Sequence, residues 1–234
     1  MDNDENLEII ILIPALNEEE IIEKTINEIP INNKIIVIDN GSTDNTAKIV
    51  NKLGKHLIYE EKKGYGYACL AGINYITSSN LQPKYILFVD ADGTNHPNGI
   101  INIIEQIRNS PTGLIMGSRM HTNTNSMPKH ARFANYFFTR LIHLLYKVKL
   151  EDMGSLRIID YQALIDIDMQ DTGYGWAAEM IVKIIRKGYF IGEINVEQRP
   201  RIGKSKISGS FITSIKAAIA LTYYILKYSF KRNI

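Results

Sequence analysis

Three short apolar runs, each followed by a polar turn, constrain the fold of this chain more than any other feature. They are LEIIILIP at residues 7–14, KIIVID at residues 34–39 and YILFV at residues 85–89. Apolar runs rich in β-branched residues are typical of strands that are covered on both faces by helices. Between them lie segments with apolar residues at helical spacing, such as residues 18–29. This alternation predicts a Rossmann-like α/β fold with a mostly parallel central sheet flanked by helices.

The rest of the chain continues this pattern. Further strands are predicted at residues 56–59, 113–118, 156–160 and 190–196, and further helices at 64–78, 131–146, 161–167 and 176–187. Ser42 or Thr43 is placed to cap another helix that ends near residue 53. In the helix at 131–146, one face carries Phe133, Phe137, Leu141 and Leu144. Because no linker or repeat divides the sequence, we predict one domain over residues 1–210 and an amphipathic helix over 211–234.

Composition and charge exclude several classes of protein. A net charge of +2 is too small to indicate a nucleic-acid partner. Cys69 is the only cysteine, so neither an intramolecular disulfide nor a cysteine-based zinc site can form, and a reducing compartment fits. The polar start of the chain does not resemble a signal peptide, and no run of 18 uncharged apolar residues occurs. We therefore expect a cytoplasmic protein, either free or peripheral on the cytoplasmic face of the membrane.

Two carboxylates follow the strand at residues 85–89. Asp90 and Asp92 are one residue apart and precede Gly93. Ligands of open α/β sheets bind at the carboxyl ends of the strands, and two close carboxylates repel each other unless a cation lies between them. Oxygen ligands favour Mg²⁺ or Mn²⁺ held jointly with phosphate. The alternative is that the two aspartates only begin a turn, a common use of Asp-Gly.

Other polar side chains follow other strands and are expected on the same edge of the sheet. Asp39 is suited to bind a ribose hydroxyl or a base, although it can equally serve a turn. Glu18, after Asn17, can equally compensate a helix dipole. Basic groups that can neutralise phosphate are Arg119, Arg199, Arg201, Lys204 and Lys206. No glycine-rich loop follows the first strand, which argues against a nicotinamide or flavin enzyme.

Eight short blocks of the sequence resemble the successive motifs of one known family. They are PALNEE (14–19), VIDNGSTD (37–44), GYGYACLAG (64–72), DADG (90–93), GSR (117–119), DMGSLR (152–157), YGWAAEM (174–180) and RIGKSK (201–206). From about residue 8 to 210 they resemble, in order, the family-2 inverting glycosyltransferases of the GT-A fold. The resemblance is greatest to the dolichyl-phosphate or polyprenyl-phosphate mannose and glucose synthase branch.

The resemblance implies roles for the matching residues. The nucleotide-sugar donor would contact Pro14, Ala15, Leu16, Asn17, Glu18, Val37, Asp39 and Gly64. The metal and the diphosphate would meet Asp90, Ala91, Asp92 and Thr94, with Asp90 and Asp92 as metal ligands. Phosphate of donor or acceptor would contact Arg119, Arg132, Arg199, Arg201, Lys204, Ser205 and Lys206. Thr94 stands where mannose synthases often carry Gln, and the RIGKSK block leaves open whether Arg199 or Arg201 is the phosphate arginine.

The activity implied by the resemblance is a metal-dependent hexosyl transfer from GDP-mannose or UDP-glucose to a polyprenyl phosphate. An anionic phosphate acceptor needs no strong general base, whereas a hydroxyl acceptor needs one. Besides Asp92, the candidate catalytic residues are Asp152 and Glu179, as bases for a hydroxyl acceptor. Alternatively, Asp152 orients the acceptor or anchors Arg157, and Glu179 pairs with an arginine.

The sequence is also compatible with other acceptors, other functions and other partners. The acceptor can instead be soluble or a glycan, and the chain can instead be a non-catalytic nucleotide-sugar-binding subunit. A nucleotidyltransferase is disfavoured because its glycine-rich loop with lysine is missing. Residues 211–234 combine aromatic and aliphatic residues with lysines, which suits a helix lying on a membrane surface or meeting a membrane-anchored partner. Packing on the domain or in a homodimer is the alternative.

Overall fold

A seven-stranded sheet forms the centre of the computed structural model, which describes residues 8–30, 33–121, 128–201 and 211–229. The strands are β1 Ile9–Ala15, β2 Lys34–Asp39, β3 His56–Tyr59, β4 Tyr85–Phe88, β5 Gly113–Ser118, β6 Arg157–Asp160 and β7 Phe190–Asn195. The helices are α1 Ile22–Asn27, α2 Thr46–Lys52, α3 Tyr65–Ser78, α4 Pro97–Arg108, α5 Lys129–Tyr146, α6 Tyr161–Asp166, α7 Trp176–Arg186 and α8 Phe211–Ser229. The predicted alternation of strands and helices is confirmed.

The sheet is mostly parallel, as predicted, with one reversed strand. Its order is β3-β2-β1-β4-β6-β5-β7, and β6 runs antiparallel to both of its neighbours. The other strands therefore share one direction, and their carboxyl ends lie at one edge of the sheet, here called the carboxyl edge. Because β6 is reversed, its first residue, Arg157, also lies at this edge. The sequence did not predict the reversal, since the direction of a strand depends on its partners.

Helices cover both faces of the sheet. Alternate residues of β1 point to opposite faces, so Ile10 and Leu12 belong to one hydrophobic cluster while Ile9 and Ile11 belong to the other. The first cluster is completed by α3, α5, α6, α7 and α8, and the second by α1, α2 and α4. The predicted C-terminal helix is thus present and packs against α5 and α7.

One local prediction is wrong, at the start of the second helix, and the fourth helix was missed. Helix α2 begins at Thr46 after Asn45, so neither Ser42 nor Thr43 caps it. Those two residues lie in the preceding loop, where the N–H of Ser42 donates to Asp39 at the end of β2 and the N–H of Thr43 donates to Asn17 in the loop after β1. Helix α4 was not predicted. Pro97 at its first position is typical of a helix start, and its isoleucines form a buried stripe at helical spacing.

The aromatic face of α5 is exposed to solvent. Phe133, Phe137 and Leu144 are 72%, 50% and 64% exposed, whereas Phe138 and Ile142 on the other side are buried. The sequence correctly placed the first three on one face, but periodicity alone does not say which face meets the core. Within the described ranges, no helix is both long enough and apolar enough to cross a bilayer.

Gly113→Ala tests the close contact between β5 and the edge strand β7. A Cβ at Gly113 would lie 1.9 Å from the carbonyl oxygen of Phe190, so β7 must shift to accept it. We expect the free energy of unfolding to fall by about 1–3 kcal/mol. Gly173→Ala is the control, because its Cβ meets nothing within 4 Å. Urea unfolding of both variants measures the difference, and equal stability of the two would contradict the contact.

Candidate active site

The loops after β1 and β2 are joined by hydrogen bonds at the carboxyl edge. The N–H of Thr43 donates to Asn17 Oδ1 at 2.7 Å, and the N–H of Asn17 donates to Ser42 Oγ at 2.9 Å. Asp39, almost completely buried, accepts from the N–H of Ser42 at 3.0 Å. These bonds fix Asn17, after β1, and Asp39, at the end of β2, at the same edge of the sheet. Their positions after neighbouring parallel strands predicted this arrangement.

The remaining residues predicted to contact the nucleotide differ in accessibility. Pro14 and Leu16 are half-buried, whereas Ala15 and Val37 lie in the core beneath the edge. The structure therefore does not bring the Val37 side chain to the surface. Gly64 donates its N–H to Asn40 Oδ1 at 2.7 Å, and a Cβ there would lie 2.2 Å from the carbonyl oxygen of Thr172. Close packing of two loops thus requires glycine at this position.

The Asp90–Asp92 pair sits in a tight turn directly after β4. The N–H of Asp90 donates to Asn95 Oδ1 at 3.0 Å. Thr94 donates to Asp92 Oδ1 from both its N–H, at 3.1 Å, and its hydroxyl, at 2.7 Å. The Asp-Gly turn that formed the structural alternative is therefore present, and it also orients Asp92 toward the edge. Thr94 contacts this carboxylate.

The electrostatics of the pair are unfavourable for two ionised carboxylates. Burial first, and then the nearby charge of Asp92, raises the pKa of Asp90 to about 6. A hydrogen bond with Ser155 and the charges of Arg119 and Arg157 act in the opposite direction. Hard oxygen donors under mutual repulsion fit a divalent cation such as Mg²⁺ or Mn²⁺. No group of three His, Cys, Asp or Glu side chains that could hold a metal by itself occurs among the described residues.

Arg201 connects the loops after β1 and β4. Its Nη2 atom is 2.7 Å from Glu18 Oε1, and its Nη1 atom is 3.1 Å from Asp92 Oδ2. Arg199 instead pairs with Glu28 beyond the end of α1. Of the two arginines left open by the sequence, Arg201 is therefore the one beside the carboxylate pair.

Arg132 and the last motif complete the set of predicted phosphate-binding residues. Arg132 is exposed in the first turn of α5, where it donates to the carbonyl oxygen of Met120 at 3.4 Å. Lys204, Ser205 and Lys206 lie outside the described residues. Their predicted contacts with phosphate stay predictions.

Arg119 and Asp152 form a buried ion pair at the end of β5. Asp152, with no exposed surface, accepts from Arg119 through Nε at 2.6 Å, Nη2 at 2.7 Å and the backbone N–H at 2.9 Å. A fourth donor is the N–H of Gly154 at 3.1 Å. Burial acts to raise the pKa of Asp152, but the hydrogen bonds and charge of Arg119 outweigh it and lower the pKa. Asp152 is thus a weakly basic anion whose oxygens are already engaged.

No role at the site is predicted from the sequence for Glu193 or Ser155, and Arg157 is predicted only as an alternative partner of Asp152. Glu193, on β7, accepts the backbone N–H groups of Glu151 and Asp152 at 2.9 Å each. Arg157 is buried and donates to the carbonyl oxygens of Gly154 at 2.6 Å, Ala177 at 3.2 Å and Met153. It does not pair with Asp152, whose partner is Arg119. Both Ser155 and Arg157 belong to the DMGSLR block, so the sequence marked them, but it did not indicate which groups they contact.

Glu179 is fully buried in the first turn of α7, where a network of hydrogen bonds surrounds it. It accepts the backbone N–H groups of Gln170 and Asp171, at 3.0 Å and 2.6 Å, and pairs with Lys183 at 2.8 Å. The hydroxyl of Tyr228 on α8 is 3.3 Å away. These contacts favour the structural alternative for Glu179, with lysine rather than arginine as its charged partner.

The fold is similar to solved structures of glucosyl-3-phosphoglycerate synthase from Mycobacterium tuberculosis. A complex with Mn²⁺, uridine diphosphate and phosphoglyceric acid matches with a TM-score of 0.74 and 17% identity, over 96% of this chain and 79% of that one. A complex with Mn²⁺, UDP-glucose and phosphoglyceric acid matches with a TM-score of 0.71 and 16% identity, over 94% of this chain and 79% of that one. These matches confirm the predicted GT-A fold.

Sequence comparison finds relatives over most of the chain. An uncharacterized glycosyltransferase of Mycobacterium tuberculosis is 28% identical over 212 residues, covering 90% of this chain and 94% of the relative. A dolichyl-phosphate hexose transferase of Haloferax volcanii is 26% identical over 206 residues, covering 86% of each chain. The sequence model described as glycosyl transferase family 2 matches residues 10–168, which is more than half of the chain. As the motifs predicted, the chain belongs to glycosyltransferase family 2.

Proposed function

We propose that this chain transfers a hexose from GDP-mannose or UDP-glucose to a polyprenyl phosphate, with inversion at the anomeric carbon. The observation that carries the proposal is the arrangement at the carboxyl edge, where the Asp90–Asp92 pair lies beside Arg201 and the buried Arg119–Asp152 pair. Such a combination suits a metal-bound diphosphate. The likeness to a dolichyl-phosphate hexose transferase supports the acceptor class.

Asp90 and Asp92 would hold the Mg²⁺ or Mn²⁺ ion, which acts as a Lewis acid for the departing diphosphate when bound. Arg201 pairs with Asp92 at 3.1 Å through one of its terminal nitrogens. A guanidinium in this place can turn from a carboxylate to a phosphate of the donor, since both present paired oxygens. Thr94 and Asn95 keep the turn that presents the two carboxylates in shape.

The state of Asp152 supports a phosphate acceptor. A general base for a sugar or other hydroxyl must take up a proton, and a carboxylate with a lowered pKa and four donors does this poorly. A polyprenyl phosphate is already anionic and needs only to be positioned. Arg119, held rigidly by Asp152, is suited to positioning an anion. A soluble acceptor is the second candidate, because solved neighbours contain phosphoglyceric acid.

Transfer assays with two acceptors test the proposal directly. The purified chain is given labelled UDP-glucose or GDP-mannose, Mn²⁺, and either a short-chain polyprenyl phosphate in detergent or phosphoglyceric acid. We expect label to enter the lipid phosphate with one of the two donors, because that acceptor needs no base. Transfer to phosphoglyceric acid alone would instead establish the second candidate.

Asp92→Asn tests the role of the carboxylate pair in transfer. The substitution keeps the size of the side chain but removes the negative charge, so we expect kcat/KM to fall by about a thousandfold, in line with several kcal/mol for a catalytic metal. Asp166→Asn makes the same change in an exposed residue of α6 and should leave kcat/KM unchanged. Circular dichroism checks that both variants fold. Retained turnover in Asp92→Asn would refute the assignment.

Asp90→Asn tests the electrostatic cost of the pair through stability rather than activity. The folded protein holds the Asp90 proton more tightly than the unfolded chain, so wild-type stability falls as the pH rises from the ordinary value of 3.8 to about 6. Without metal, we expect Asp90→Asn to raise the free energy of unfolding by about 1–3 kcal/mol at pH 7.5. Little gain should appear near pH 4.

Urea unfolding across this pH range measures the effect, with Asp166→Asn as the matched control. Adding Mn²⁺ and uridine diphosphate should stabilise the wild type more than Asp90→Asn, because the cation binds the ionised pair. An Asp90→Asn variant that is less stable than wild type at pH 7.5, or equally stabilised by Mn²⁺, would argue against this reasoning.

A further inference from the structure

Exposed apolar side chains are concentrated on two helices. Among the described residues, eight of the twelve large apolar side chains that are exposed belong to α5 and α8. They are Phe133, Tyr136, Phe137 and Leu144 on α5, and Ile215, Ile219, Tyr223 and Leu226 on α8. On α8 they recur every three to four positions, and on α5 Tyr136, Phe137 and Leu144 follow Phe133 by three, four and eleven positions, so each helix carries a single stripe. A large exposed apolar surface of this kind marks an interaction site.

The two stripes belong to one side of the protein. Helices α5 and α8 are in contact, and the hydroxyl of Tyr146 donates to the carbonyl oxygen of Ile225 at 2.6 Å. Their inner faces, including Phe138 and Tyr228, are buried in the same hydrophobic cluster on one face of the sheet. The outer faces therefore both point away from that cluster. The eight exposed residues are here called the α5/α8 face.

The two sequence segments that contain α5 and α8 carry charge of one sign. Residues 128–150 and 211–234 contain nine of the 27 lysines and arginines and none of the 25 acidic residues. These segments carry a formal charge of +9, whereas the rest of the chain carries −7. Arg140 lies 5.1 Å from the ring of Tyr136, and Lys227 lies 5.3 Å from the ring of Tyr223. Cations thus lie among the exposed aromatic rings.

We propose that the α5/α8 face docks on the surface of an anionic phospholipid bilayer. Apolar side chains on an otherwise basic helical surface enter the headgroup region, while lysine and arginine remain at the lipid phosphates. A second copy of this chain fits less well, because a twofold contact would bring two basic faces together. The charge of the face is complementary to anionic lipid and repels itself.

The position of α5 relates this surface to the candidate active site. Asn135 donates to the carbonyl oxygen of Glu151 at 3.0 Å and accepts the N–H of Met153 at 2.8 Å. These bonds hold α5 against the loop that carries Asp152. Docking through α5 would bring the carboxyl edge near lipid headgroups, where a polyprenyl phosphate presents its phosphate. In this respect the inference rests on the proposed function and names the surface that serves it.

Vesicle flotation tests the docking surface. The probes are vesicles of phosphatidylcholine alone and vesicles that contain about one third phosphatidylglycerol, an anionic lipid. We expect the full chain to float with the anionic vesicles, to bind the neutral ones weakly, and to be released by high salt because salt screens the charges.

Two double variants separate the apolar and the charged contributions. Phe133→Ser with Ile219→Ser should weaken binding about tenfold or more, because both side chains leave water on docking. Arg140→Gln with Lys216→Gln should weaken it about fivefold per charge, which corresponds to about 1 kcal/mol each. Tyr59→Ser and Lys52→Gln change exposed residues on the other side of the molecule, at β3 and α2, and should bind as the wild type does.

The same samples are used to measure transfer to a short-chain polyprenyl phosphate in detergent. Lost flotation with retained transfer in the double variants supports the docking surface. No transfer by any protein, with flotation as expected, would refute the proposed function but support the surface. A wild type that does not float, or double variants that float as well as wild type, would overturn the docking proposal. A wild type that is a dimer and does not float would also overturn it, if the double variant Phe133→Ser with Ile219→Ser is a monomer. A second copy of the chain would then cover the face.

Discussion

The common direction of six of the seven strands is the constraint on which the site depends. Because those strands are parallel, the chain leaves each of them at the same edge of the sheet, and the polar residues that follow are brought together without any local signal between them. Asn17, Asp39, Asp90 and Arg119 are far apart in sequence and lie at the same edge of the sheet for this reason. The reversed strand β6 adds Arg157 from its amino end. The edge therefore carries charges of both signs.

The charges at this edge differ in how completely they are paired. Asp152 and Arg119 compensate each other in a buried pair, and Glu193 holds the loop that carries Asp152. Asp90 has a raised pKa because burial and Asp92 oppose its ionisation more strongly than the neighbouring arginines favour it. Arg119, whose charge is compensated by Asp152, thus lies near Asp90, whose ionisation is opposed by its surroundings. This unequal pairing fits the proposed site for a cation and a diphosphate, because a fully neutralised pair of charges attracts a cation only weakly.

Much of the fold was predictable because apolar runs and helical spacing report burial directly. The strands at residues 34–39, 56–59 and 113–118 have the predicted bounds, whereas β1 and β4 differ by a residue or two at their ends. The motif residues Asp90, Asp92, Arg119 and Arg201 do lie together. The partners of these side chains were not predictable. Arg157 was the predicted partner of Asp152, which pairs with Arg119, and an arginine was the predicted partner of Glu179, which pairs with Lys183. Side-chain pairing depends on the separation of elements in space, on which spacing along the chain carries no information.

The sequence by itself determined the family, the alternation of strands and helices, and the identity of the carboxylates and arginines that follow the strands. These properties reside in local patterns and in motifs whose order is preserved along the chain. Tertiary structure alone decided which face of α5 is exposed, which arginine stands beside Asp92, and that the oxygens of Asp152 are already engaged. Each of these depends on which surfaces remain after the core has packed and on which charges are close enough to compensate each other. A helical stripe of Phe133, Phe137 and Leu144 looks the same in the sequence whether it faces the core or the solvent.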